Sequence, residues 1–73
     1  MNKTIKVSFT TDEEAGAVYG TIRHLKHEGF FSSYSMYDDH ALIFGVDDAE
    51  TILNVFNDMV DERDLPGIFA QVD

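Results

Sequence analysis

The stretch VDDAETILNVFNDMVDERD, residues 46–64, carries the clearest helical pattern in the chain. At about 100° per residue, Ala49, Ile52, Leu53, Phe56, Met59 and Val60 gather on one side. Asp47, Glu50, Asp58 and Asp61 gather on the other, with Asn54 and Asn57 between. The apolar side must pack on something, and the acidic side must face water or a partner. Asp47 is placed to cap this helix with Glu50 as its box partner, and Leu65-Pro66-Gly67 stops it.

Upstream lies a hairpin. Phe30–Tyr37 and Ala41–Val46 are strand segments joined by Asp38-Asp39, and a two-residue turn sets Tyr37 opposite His40. Strict alternation then places Phe31, Ser33, Ser35, Tyr37, Leu42, Phe44 and Val46 on one face. Phe30, Ser32, Tyr34, Met36, Ala41, Ile43 and Gly45 fall on the other. Leu42, Phe44 and Val46 are expected to point at the helices. Downstream, Ile68–Val72 is a last short strand.

At the start of the chain, Ile5, Val7 and Phe9 alternate with Thr4, Lys6, Ser8 and Thr10, the pattern of a half-buried strand. Thr11-Asp12-Glu13-Glu14 is a capping box, and its acids suit the positive end of a helix. Ala15, Val18, Ile22 and Leu25 form the buried stripe of that helix, with Tyr19 at its edge. Arg23, His24, Lys26 and His27 suit its negative end, and Gly29 closes it.

The resulting order is β-α-β-β-α-β in one domain spanning residues 1–73. Right-handed crossovers turn that order into an α+β, two-layer, ferredoxin-like sandwich. It has a four-stranded antiparallel sheet in the order 4-1-3-2 and two helices on one face. Such a fold hosts many unrelated functions, so function must be argued from the surface.

The formal net charge is −9. Residues 1–37 hold four acids (Asp12, Glu13, Glu14, Glu28) against four bases (Lys3, Lys6, Arg23, Lys26). Residues 38–73 hold ten acids against one base, Arg63. This field repels nucleic acid and anionic membranes and attracts basic surfaces. The chain has no cysteine, hence no disulfide framework and no thiolate metal site. No apolar run reaches signal-peptide or membrane-spanning length, so a cytoplasmic protein is expected.

Four features compete for function. The acidic row Asp47, Glu50, Asp58 and Asp61, with Asp38 and Asp39 nearby in sequence, could stand in for a row of phosphates. The competing reading is an ordinary solvated helix face. The near absence of interleaved Lys or Arg argues against it, because helices stabilised by charge use Glu–Lys pairs. Gly16 and Gly20 lie on the outer side of the first helix, where each costs about 1 kcal/mol against alanine. They suggest close approach by a partner or a second copy, although drift explains them equally well. Tyr34, Met36 and Ile43 are expected on the open sheet face, where a homodimer is the simplest use. His24, His27 and His40 lack a convergent fourth group, so no metal is expected.

No nucleophile signature, phosphate-cradling loop or H-E-x-x-H motif is present, and neither an enzyme nor a cofactor is expected. The expected function is a small acidic binding protein that inhibits by occluding a basic, nucleic-acid-binding surface of a target. In size and charge the chain resembles the small inhibitors that phages direct against host nucleases, anti-CRISPR proteins among them. That likeness is compositional and implies no residue roles. The alternative is a homodimeric regulatory module that binds a small ligand or partner through its sheet face.

Overall fold

The computed structural model describes residues 2–73. Its elements are β1 (Lys3–Ser8), α1 (Asp12–His27), β2 (Ser33–Met36), β3 (His40–Val46), α2 (Ala49–Glu62) and β4 (Phe69–Val72). The sheet order is β2-β3-β1-β4, and every pair is antiparallel. This is the expected 4-1-3-2 order counted from the other edge, and the fold is ferredoxin-like. Ile5, Val7 and Phe9 of the first strand segment meet Val18, Ile22 and Leu25 of α1 and Ile52, Phe56 and Met59 of α2 in one core.

The helix ends follow from local chemistry. The Thr11 hydroxyl accepts from the Glu14 amide at 3.1 Å, and the Glu14 carboxylate accepts from the Thr11 amide at 3.1 Å. At the other end of α1 the Gly29 amide donates to Lys26 and the Phe30 amide to Leu25, with Gly29 at φ +87°. That pairing closes the last turn and needs a left-handed residue, which glycine adopts freely.

The start of α2 differs from expectation. Asp48, not Asp47, is the cap, accepting from the Thr51 amide at 3.2 Å and the Thr51 hydroxyl at 2.7 Å. Thr51 three residues on offers Asp48 a hydroxyl as well as its amide, whereas Glu50 offers an Asp47 cap its amide alone. The helix also ends earlier than the stretch to residue 64 implied, because Asp64 turns left-handed at φ 54°.

The hairpin register is as expected, with Tyr34 opposite Ile43 and the Tyr37 amide donating to His40. Its facing is reversed. Ala41 and Ile43 point at the helices and are fully buried, while Leu42 and Phe44 point away. The cause is a bulge. Ile5 pairs with Ile43, yet Lys3 pairs with Val46, so β3 has one extra residue opposite β1. Gly45 sits there at φ +71°, as a left-handed glycine in a bulge does. Strict alternation counted back from Val46 therefore puts Leu42, Phe44 and their partners in β2 on the wrong side, while Phe31, ahead of β2, is buried in the core as expected.

Candidate functional site

Three chain segments meet at one end of the sheet. The Phe9 amide donates to the Asp39 carbonyl at 3.1 Å, which places the hairpin turn beside the end of β1. The Gly67 amide donates to Glu14 at 2.6 Å, which places the chain after α2 against the first turn of α1. β4 then starts at Phe69, opposite Ser8. Exposed carboxylates from all three segments collect at this end: Asp12 and Glu13, Asp38 and Asp39, and Asp61, Glu62 and Asp64. Arg63 lies among them, and the positive charge of Lys6 reaches Asp39.

The equal count of acids and bases in residues 1–37 is therefore not a cancellation in space. Asp12 and Glu13 open α1, and Arg23, His24, Lys26 and His27 close it. Sixteen residues of helix separate those ends by about 24 Å, well beyond a Debye length at physiological salt.

Glu14 holds the acidic end together. It is 3% exposed, the one buried charged residue among those described. One carboxylate oxygen accepts from the Thr10 amide at 2.9 Å, the Thr10 hydroxyl at 2.8 Å and the Thr11 amide at 3.1 Å. The other accepts from Gly67. The Thr10 amide above all holds this carboxyl below its ordinary range, against the opposing effect of desolvation; the Thr10 hydroxyl and the Gly67 and Thr11 amides add to it. A side chain at residue 67 would intrude on Thr10 and on both carboxylate oxygens, so anything larger than glycine must displace Glu14 from its donors.

At the hairpin turn, His40 lies 2.6 Å from Asp39 and stacks on Tyr37, with ring centroids 4.6 Å apart and an interplanar angle of 13°. The His40 hydrogen bond, chiefly, pulls the Asp39 carboxyl below its ordinary range. Asp48 is likewise lowered by the Thr51 hydroxyl and then the Thr51 amide.

The expected site residues separate into groups. Asp38, Asp39 and Asp61 join the acidic end, with Asp58 about one turn back along α2. Asp47 and Glu50 are exposed but belong to the start of α2, at the opposite end of the sheet. Asp38 and Asp39 thus neighbour the end of α2, not its start as their closeness in sequence suggested. Asp12, Glu13, Glu62 and Asp64 complete the group. The signal for them was topological, since in this element order the first strand's end, the hairpin turn and the second helix's end must share one edge.

Gly16 and Gly20 are exposed as expected, and a Cβ on either meets nothing within 4 Å. Tyr19 beside them is 40% exposed, with the Arg23 guanidinium 5.6 Å from its ring centre. Tyr34, Met36 and Ile43 are not on the open face. Ile43 is fully buried, and Tyr34 stands edge-on to Phe31 and Tyr19, with centroids 6.3 and 6.4 Å away. The bulge at Gly45 puts Ile43 and its hairpin partners on the helix side. His24 and His27 are exposed in the last turn of α1. Among the described residues no three metal-ligating side chains converge, and no helix is long and apolar enough to cross a membrane.

No protein-family model, curated protein or solved structure matches the chain.

Proposed function

We propose that the chain is a cytoplasmic, non-enzymatic binding protein that occludes a basic, nucleic-acid-binding surface of a target protein, in the manner of phage-encoded nucleic-acid mimics such as anti-CRISPR proteins. The observation that carries this reading is the convergence of seven exposed carboxylates (Asp12, Glu13, Asp38, Asp39, Asp61, Glu62, Asp64) from three segments on one end, against Arg63 among them and Lys6 near Asp39. Carboxylates fixed on helix ends and a tight turn present negative charge at defined positions, as a phosphate backbone does. Lys and Arg side chains of the target then exchange phosphate for carboxylate, and attraction between unlike fields speeds their encounter.

The test has two stages. The protein is immobilised at low salt in a lysate of its host, and bound proteins are released by salt. The released protein is then titrated with nucleic acid in the presence of the chain. A strongly basic protein, eluted by salt and displaced from its nucleic acid, supports the reading. Asp38→Lys, Asp61→Lys and Glu62→Lys together should abolish that displacement. Asp47→Lys with Glu50→Lys, at the opposite end, should weaken it far less. A target that binds both variants alike would sink the acidic-end mechanism.

A further inference from the structure

The side of the sheet away from the helices is chemically unlike the rest of the surface. The chain has 14 acids, yet no outward position of the four strands holds one. Asp39 and Asp73 stand only at its rim, and Lys6 is its one full charge. Leu42 and Phe44 occupy the middle, on a central strand. Phe69 on the β4 edge is 60% exposed, and Tyr37 beside β2 is 51% exposed. The remaining positions are small hydroxyls, Gln71 and His40. A carboxylate-free face carrying exposed apolar groups, on a chain of net charge −9, lets a second copy approach without setting acid against acid.

We propose that a second copy of the chain docks on this face, sheet against sheet across a two-fold axis, with Leu42 and Phe44 at the centre and Phe69 and Tyr37 at the edges. A self-complementary patch is what such an axis requires. The acidic ends choose the direction of the axis. An axis parallel to the strands would bring the two Asp38-Asp39 turns together. An axis in the plane of the sheets and perpendicular to the strands sends them to opposite ends, and it leaves both acidic ends free. Four strands about 4.8 Å apart and about five residues long present a face of about 320 Å², so two stacked copies cover about 640 Å² before the relief of their side chains is added, the range of a weak, transient association. A 73-residue domain with a one-sided core also gains by covering its bare face. This inference stands apart from the proposed function, because it uses a different face.

The experiment is sedimentation equilibrium from about 1 μM to about 1 mM, which brackets the weak association expected of so small an interface. It is run at low and at high salt, on the native chain and on Phe69→Glu and Leu42→Asp. The expected result is a dimer that tightens as salt screens the repulsion between two acidic chains. Each substitution should weaken it at least about tenfold, as loss of a central or aromatic contact does. Circular dichroism checks that each variant is folded. Phe69, exposed and on an edge strand, is the safer probe should Leu42→Asp unfold. A monomer throughout the range, or a dimer unchanged by Phe69→Glu and by folded Leu42→Asp, overturns the proposal. The opposite salt response, target binding weakened and dimer strengthened, keeps its failure distinct from failure of the acidic-end reading.

Discussion

Leu42 and Ile43 are neighbours on one strand and nearly equal in size, and the fold treats them oppositely. Ile43 is sealed between sheet and helices, while Leu42 faces outward on the bare side. The same division separates the whole molecule. The covered side holds the core and one carboxylate, Glu14, whose two oxygens take four hydrogen bonds. The bare side holds scattered apolar groups among hydroxyls and no carboxylate within its strands. Hydrophobicity alone does not distinguish the two residues. Their sides are set by Gly45, which adds one residue to β3 and lets Val46 join Ile43 inside.

The sharpest way to break this comparison is to put the same charge at both positions. Ile43→Asp buries a carboxylate with no donor within reach. That should cost more than about 4 kcal/mol, enough to unfold a domain whose total stability is of that order. Leu42→Asp should leave the fold intact, because water reaches that side. Thermal unfolding followed by circular dichroism decides it. If Ile43→Asp melts cooperatively near the native temperature, the facing derived from the bulge is wrong.

Much of this was legible in the chain beforehand, and the exceptions have physical causes. The two amphipathic helices announced themselves through Val18, Ile22 and Leu25 and through Ile52, Phe56 and Met59, because a period of 3.6 survives small errors in boundary. The hairpin register was legible from Asp38-Asp39. The facing was not. A period of two has no tolerance, so one bulged residue inverts the assignment, and Gly45 read simply as part of the strand hides it. The capping role of Glu14 was visible at short range. Its bond to Gly67, 53 residues away, was not, since nothing local distinguishes a capping carboxylate from one that also clamps a distant loop. The acidic end was half visible. Charge was correctly located in the second half, but Asp12 and Glu13 enter only when the topology brings α1's start beside α2's end.

Glu14 supplies the next contrast, since it is a buried carboxylate that the fold accepts. Its pKa is lowered from an ordinary value of 4.5, so in the folded state it favours the charged form. The stability it contributes is therefore fully present above pH 4.5 and is lost as pH falls through the lower, folded value. Glu14→Gln keeps the shape but offers one acceptor oxygen where two are used. Its amide group must then face either the Gly67 amide or the Thr10 and Thr11 donors. The variant should melt below the native protein at neutral pH, and the gap should shrink as pH drops below 4.5. A constant gap from neutral pH into the acid range would mean that the Glu14 charge does not hold the acidic end together.

The smallest expected effect has the opposite sign. Gly16 and Gly20 lie on the exposed side of α1, neither needs a positive φ, and a methyl group on either meets open space. In the isolated chain, alanine at each position should stabilise by about 1 kcal/mol, because it lowers the entropy of the unfolded chain and favours the helix. The absence of alanine thus has no explanation within the folded chain itself. The double variant Gly16→Ala, Gly20→Ala separates two causes. If it melts higher and still captures the salt-eluted target and still dimerises, the glycines carry no contact and their presence is drift. If it melts higher but loses either association, a partner's atoms approach the α1 backbone closely there. In that case the comparison of covered and bare sides gains a third surface, one defined by the lack of side chains instead of by their chemistry.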